Sequence, residues 1–134
     1  MADRGAIEEI FARYAWGMDS RQFQFTRETF AEDARFTLDI QGTPAIEPLS
    51  GAAIGDFIET TTREQKDQRR HVITNLHIED EREDSATAIA YLSLLVTEND
   101  ELHAQATGVY RTEVDRRDGE WRFRTMHLDL DRPF

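Results

Sequence analysis

The sequence predicts an α+β domain: a curved antiparallel sheet wrapped around three helices that lie mostly ahead of it. Three observations lead there. Apolar residues recur at helical spacing over residues ~3–18 and again over ~51–65. Four long runs of alternating apolar and polar residues follow one another from residue 70 to residue 130, joined by short polar turns. The 134 residues, 39% of them hydrophobic, suit one core and one domain over 1–134.

Ile7, Ile10, Phe11, Tyr14 and Met18 form the stripe of the first helix, with Asp3 as its N-cap and Glu8 and Glu9 near the positive end of its dipole. Gly17 weakens the helix end, and Asp19-Ser20 breaks it. A short second helix is expected over ~21–30, with Phe23, Thr26 and Phe30 on one face. Phe36-Thr37-Leu38-Asp39-Ile40 alternates as a strand. Residues 41–49 hold two prolines and a glycine, which makes them a loop with at most a short edge strand. Ser50 opens the third helix, with Ile54, Phe57, Ile58 and Thr61 on its buried side. The sheet then runs over ~70–79, ~86–97, ~102–115 and ~120–130, and Asp118-Gly119 marks a tight hairpin.

In the first long strand, strict alternation puts His71, Ile73, Asn75 and His77 on one face and Val72, Thr74, Leu76 and Ile78 on the other, the second set to meet the core or a subunit interface. The mixed first set suits a pocket wall. A histidine serving structure through one satisfied hydrogen bond fits the same pattern. Alternation likewise groups Trp121, Phe123, Thr125 and His127, and groups Ala104, Ala106, Gly108, Tyr110 and Thr112. The small residues of that last set leave room for a ligand or for a packed helix. Phe36, Phe57, Tyr110, Trp121 and Phe123, with Asn75, are the expected substrate-binding lining of the concave side.

Composition closes several routes. The net charge of −11 repels a phosphate backbone, so no nucleic-acid partner is expected. No run approaches the ~18 apolar residues of a membrane span, and acidic residues near the start argue against a signal peptide; a cytoplasmic location is expected. Without cysteine there is no disulfide or thiolate chemistry, and Lys66, the single lysine, lies in a polar run unsuited to Schiff-base work. The four histidines lack metal-ligand spacing and no phosphate-binding glycine loop is present, so neither metal nor cofactor is expected. His77 and His103 fall near strand ends. His127 and Asp129, two apart on one strand, imitate an acid–imidazole pair.

The order helix–helix–strand–helix–four strands, with Phe30-Ala31-Glu32-Asp33-Ala34-Arg35-Phe36, His71-Val72-Ile73-Thr74-Asn75-Leu76, Gly108-Val109-Tyr110 and Asp118-Gly119-Glu120-Trp121-Arg122-Phe123, resembles the nuclear transport factor 2-like, or SnoaL-like, superfamily over nearly the whole chain. The resemblance implies a cone-shaped α+β barrel with an internal cavity. It is nearest the branch of scytalone dehydratase and hexachlorocyclohexane dehydrochlorinase, where an aspartate closing the first helix pairs with a histidine on the first long strand. Those positions are Asp19 and His71 here. Tyr14 stands where the dehydrochlorinase has a lysine, which argues against chloride elimination by the same machinery. Met18 stands where the dehydratase has a tyrosine.

Carried over, the pair implies a cofactor-free lyase, isomerase or cyclase. His71 would act as general base on a small hydrophobic carbonyl-type substrate, with Asp19 fixing its tautomer. Tyr14 is the candidate donor to the developing oxyanion, with Asn75 and Tyr110 as others. Two further readings stay open: a non-catalytic small-ligand module on the same scaffold, and a small structural subunit of a ring-hydroxylating oxygenase. A homodimer or higher homo-oligomer is expected, with Val72, Leu76, Ile78, Met126 and Leu128 as its apolar interface.

Overall fold

The computed structural model describes residues 2–133. Helix α1 (Arg4–Asp19) starts at Asp3, whose carboxylate accepts the Ala6 amide at 3.0 Å and so satisfies one of the orphan donors of the first turn. Helix α2 (Phe23–Arg27) has only five residues, shorter than the ~21–30 expected, because Phe30 already belongs to β1 (Phe30–Ile40). The 41–49 segment forms two edge strands of two residues each, β2 (Thr43–Pro44) and β3 (Leu49–Ser50), both pairing with β1. Helix α3 (Ala52–Glu64) leads into β4 (Gln68–Glu79), β5 (Ser85–Glu98), β6 (Glu101–Arg117) and β7 (Glu120–Leu130).

The strands form one curved, unclosed sheet in the order β2-β1-β7-β6-β5-β4, with β3 on β1. The β4-to-β7 meander is antiparallel as expected. β1 joins it by running parallel to β7, so the sheet is mixed at that one junction. β4 is a free edge, and that freedom matters for the site below. No helix among the described residues is long and apolar enough to cross a membrane.

Bulges decide which side chains face the helices. The β4–β5 register slips between Thr74 and His77, where Asn75 adopts a left-handed backbone (φ 59°). One extra residue reverses the alternation. His71 and Ile73 therefore point inward before the bulge, and Leu76 and Ile78 point inward after it. Asn75 and His77 are exposed. A slip opposite Glu113 and Val114 does the same to β7: Trp121 and Phe123 face the core, then Met126, Leu128 and Leu130, while Thr125 and His127 turn outward. Ala104 is exposed for the same reason, a slip at Leu94 and Leu95.

These reversals correct the interface expected from unbroken alternation. Met126 and Leu128 are core residues, and Leu76 and Ile78 pack against the core. Of that set only Val72 lies well exposed.

The core is built around rings. Phe11 lies 5.0 Å from Phe123, and Tyr14 lies 5.6 Å from Tyr110, both edge-on; Phe30 closes the cluster at 5.5 Å from Phe123. Gly108 is small because a Cβ there would come within 2.6 Å of the Asp129 carbonyl on β7. Its role is strand contact, not ligand space. Gly17 is tighter still: a Cβ would fall 2.1 Å from the Thr26 hydroxyl oxygen and 2.6 Å from the Thr26 amide nitrogen. The end of α1 can sit on α2 only without a side chain there. Gly17→Ala is expected to cost about 3 kcal/mol, the upper end of overpacking penalties, read as a lower urea midpoint at unchanged m-value. An unchanged midpoint would show that the α1–α2 contact is looser than described.

Candidate active site

Asp19 is the last residue of α1, and three features hold it against β4. The Ser20 hydroxyl and amide both bond the Trp16 carbonyl and finish the helix. Arg21, in a left-handed conformation (φ 59°), sends its guanidinium to the carbonyls of Thr62 (2.8 Å), Gln65 (3.0 Å) and Asp67 (3.3 Å). This arginine thereby ties the chain entering β4 to the chain leaving α1. The Gln68 side-chain amide adds a 2.9 Å bond to the Asp19 carbonyl.

The Asp19 carboxylate meets His71 twice. Oδ1 lies 2.6 Å from the ring Nδ1, and Oδ2 accepts the His71 backbone amide at 2.8 Å. The second bond exists because β4 is an edge: the His71 amide points away from β5 and needs an acceptor. An ionised carboxylate only accepts, so Nδ1 must carry the ring proton. Nε2 is left as the basic nitrogen, and it has no hydrogen-bond partner among the described residues. Both side chains are mostly buried, 12% exposed for Asp19 and 14% for His71, which shields the pair from water without sealing it.

His71 opens onto a groove of about 410 Å³ between α1 and β4. Its walls include Ala12, Ala15 and Trp16 of α1 and His71, Ile73 and Leu76 of β4. This is a cleft along the sheet edge. The residues expected to line an internal hollow fill the interior themselves. Phe36, Tyr110 and Phe123 are buried among core neighbours; Phe57 packs partly buried against them; Trp121, also buried, borders a different cleft near Arg13 and Arg122. Asn75 faces away at the bulge. The structure brings together Asp19 and His71 and does not bring the substrate-binding set to them.

Tyr14 lies behind the groove rather than in its wall. Its hydroxyl accepts a 3.2 Å hydrogen bond from Tyr110, and both phenols are fully enclosed. Burial pushes the Tyr14 pKa up to about 12; the Tyr110 hydrogen bond opposes this and the nearby Asp19 charge adds to it. Tyr110 is raised well above its ordinary value, first by burial, then by its neighbour Tyr14. The sign follows directly. Folding favours the protonated phenols, so this contribution is whole below pH 10 and is lost as the pH climbs through about 12. Tyrosinate absorbance from this pair is expected only together with unfolding of the core. Ionisation of all three tyrosines at pH 10 in folded protein would contradict the enclosure.

The other histidines have other company. His127 Nδ1 lies 2.6 Å from the Thr37 hydroxyl, and its Nε2 lies 3.6 Å from Asp39 across the parallel β1–β7 junction; Asp129 instead accepts the Gly42 amide. His77 sits beside Glu79 and His103 beside Gln105, both exposed. What alternation overlooked was Trp16 and Leu76. Trp16 falls off the apolar stripe of α1, and Leu76 is assigned to the wrong face unless the bulge at Asn75 is known.

The solved structures that resemble this one share its fold. An NTF2-like protein with a cystatin-like fold from Novosphingobium aromaticivorans is 23% identical over 96% of this chain and 81% of its own, with a TM-score of 0.84. A proposed β subunit of an aromatic-ring-hydroxylating dioxygenase from the same organism is 20% identical over 98% and 90%, with a TM-score of 0.84. ActVI-ORFA from Streptomyces coelicolor is 23% identical over 95% and 96%, with a TM-score of 0.79. No functionally curated protein matches the sequence. Residues 1–127 match the SnoaL-like domain, and the chain belongs to that family.

Proposed function

We infer that the protein is a cofactor-free lyase, isomerase or cyclase in which Asp19 and His71 form the general base for a small hydrophobic carbonyl compound. One observation carries this reading: the two-point grip of the Asp19 carboxylate on His71, which leaves Nε2 basic at the edge of an apolar groove. Nε2 takes a proton from the carbon next to the carbonyl, and the C–H electron pair moves into the enolate. The imidazolium, steadied by Asp19, then returns a proton to carbon, to a leaving oxygen, or to the alkoxide formed when the enolate carbon closes on a second carbonyl. Isomerisation, dehydration and intramolecular aldol closure share this first step. In this reading Tyr14 is a positioning residue that seats α1 against β6 through Tyr110. The protein acts in the cytoplasm as a homo-oligomer, which sedimentation at micromolar concentration tests.

A panel of cyclic and aryl ketones in D2O, followed by mass spectrometry, tests the chemistry. Turnover or α-deuteration of at least one compound by the wild type, lost in His71→Ala, is expected. Binding whose affinity changes in His71→Ala, with no exchange in either protein, would replace the reading with that of a non-catalytic ligand module. The likeness to a dioxygenase β subunit favours a second reading, a structural subunit of such an enzyme. Co-purification with a larger iron-containing chain would support it.

A further inference from the structure

β4 is a free edge, so every second residue turns its main-chain N–H and C=O away from β5 and must find partners elsewhere. The register with β5 is unbroken from Gln68 opposite Thr97 to Thr74 opposite Tyr91. The His71 amide leaves the sheet to reach Asp19, and this fixes the parity. Arg69, His71 and Ile73 turn their main-chain groups off the edge, while Arg70, Val72 and Thr74 turn theirs to β5. The bulge at Asn75 passes the off-edge turn on to Leu76. The bonds on this edge obey that parity. The Arg69 carbonyl accepts the Gln68 side-chain amide at 2.9 Å, the His71 amide donates to Asp19 at 2.8 Å, and the Leu76 carbonyl accepts Arg4 at 2.9 Å. Side chains therefore cover the edge on both sides of Ile73 and pass over Ile73 itself. Its N–H has no side-chain or loop acceptor among the described residues, and it lies on the groove that His71 lines. The two residues are one same-side step apart, ~6.6–6.8 Å along the strand.

Removing a proton next to a carbonyl builds negative charge on the carbonyl oxygen, and that charge needs a donor. The side chains nearby offer none that is both free and sheltered. Arg4 is held by Glu8 at 3.0 Å and by the Leu76 carbonyl. Trp16 is 69% exposed, so water competes for its indole N–H. Tyr14 and Tyr110 are enclosed in the core behind the groove. Resting on the reading of Asp19–His71 as a base, we propose that the main-chain N–H of Ile73 is the oxyanion donor of this site. It donates to the carbonyl oxygen while Nε2 of His71 takes the neighbouring C–H proton. The C–H pair becomes the enolate double bond, the carbonyl π pair moves to oxygen, and that oxygen meets an amide whose direction the strand has already fixed.

The test uses the full chain. In 15N-labelled protein the Ile73 amide is expected to exchange with solvent far faster than those of Val72 and Thr74, which pair with β5, and that of His71, which Asp19 holds. 4-Nitrophenolate serves as the enolate mimic and nitrobenzene as its match without the oxyanion. The phenolate is expected to move the Ile73 amide proton downfield. Converting the peptide bond between Val72 and Ile73 to an ester removes this N–H and keeps the side chain. That change is expected to weaken the phenolate about tenfold, as for a hydrogen bond to a charged group, and to leave nitrobenzene unaffected. The ester, and Ile73→Pro, which an edge strand tolerates where the N–H faces off the sheet, are expected to lower ketone α-deuteration about 10²-fold, mainly in kcat. A protected Ile73 amide, or a phenolate affinity indifferent to the ester, overturns the proposal. The two readings separate. Ester-sensitive phenolate binding with no deuteration by the wild type keeps the oxyanion site and removes the base. His71-dependent deuteration that the ester leaves untouched keeps the base and removes the donor.

Discussion

Replacing His71 with alanine is expected to cut proton-transfer turnover by roughly 10²–10⁴-fold, the range that a positioned general base supplies. His71 is partly buried at an edge strand, and its ring contacts the groove and Asp19 rather than the ring cluster of the core. The variant should therefore fold, with its thermal midpoint near that of the wild type. Asp19→Asn is expected to lose a comparable share for a different reason. An amide can present its NH2 to Nδ1 and move the ring proton to Nε2, leaving no basic nitrogen on the groove. Deuteration of a ketone substrate in D2O reads both variants. Full activity in either would mean that the proton goes elsewhere.

Phe123→Ala is expected to cost ~3–5 kcal/mol, typical for deleting a buried ring. Phe123 is fully buried and meets Phe11, Tyr14 and Phe30 edge-on or tilted, at 5.0, 6.1 and 5.5 Å. Set against a total of about 5–15 kcal/mol for a domain, this removes a large part of the stability. The thermal midpoint should fall by about 10–20 °C. Because the ring cluster carries α1, whose last residue is Asp19, loss of His71–Asp19 pairing is expected to accompany unfolding rather than precede it. A Phe123→Ala protein as stable as the wild type would show that space inside the sheet is open to water or ligand.

The helices and the meander were legible because their periodicities, 3.6 and 2, hold over enough residues on at least one side of each break to mark the element. What alternation cannot carry across is a bulge. Asn75, a residue that tolerates φ near +60°, shifts β4 by one and turns Leu76 inward and itself outward. The slip in β7 similarly buries Met126 and Leu128 and turns His127 out to Thr37. β4 and β7 were read correctly up to the bulge and reversed after it, and in β6 the one misplaced residue, Ala104, lies just before the slip. The parallel junction of β1 with β7 is a long-range pairing with no local signal. The Asp19–His71 proximity joins residues 52 positions apart. It came from likeness to a superfamily, and no spacing rule would have found it. The aromatic lining was expected because large rings on a concave face suit a ligand; here the rings satisfy one another.

The most direct test of the account needs no substrate. In 15N-labelled protein at a pH where the His71 ring is neutral, NMR is expected to place its proton on Nδ1, shifted far downfield by the Asp19 carboxylate, with Nε2 unprotonated. Asp19→Asn should abolish that signal. A neutral His71 ring protonated at Nε2, or one indifferent to Asp19→Asn, would contradict the account.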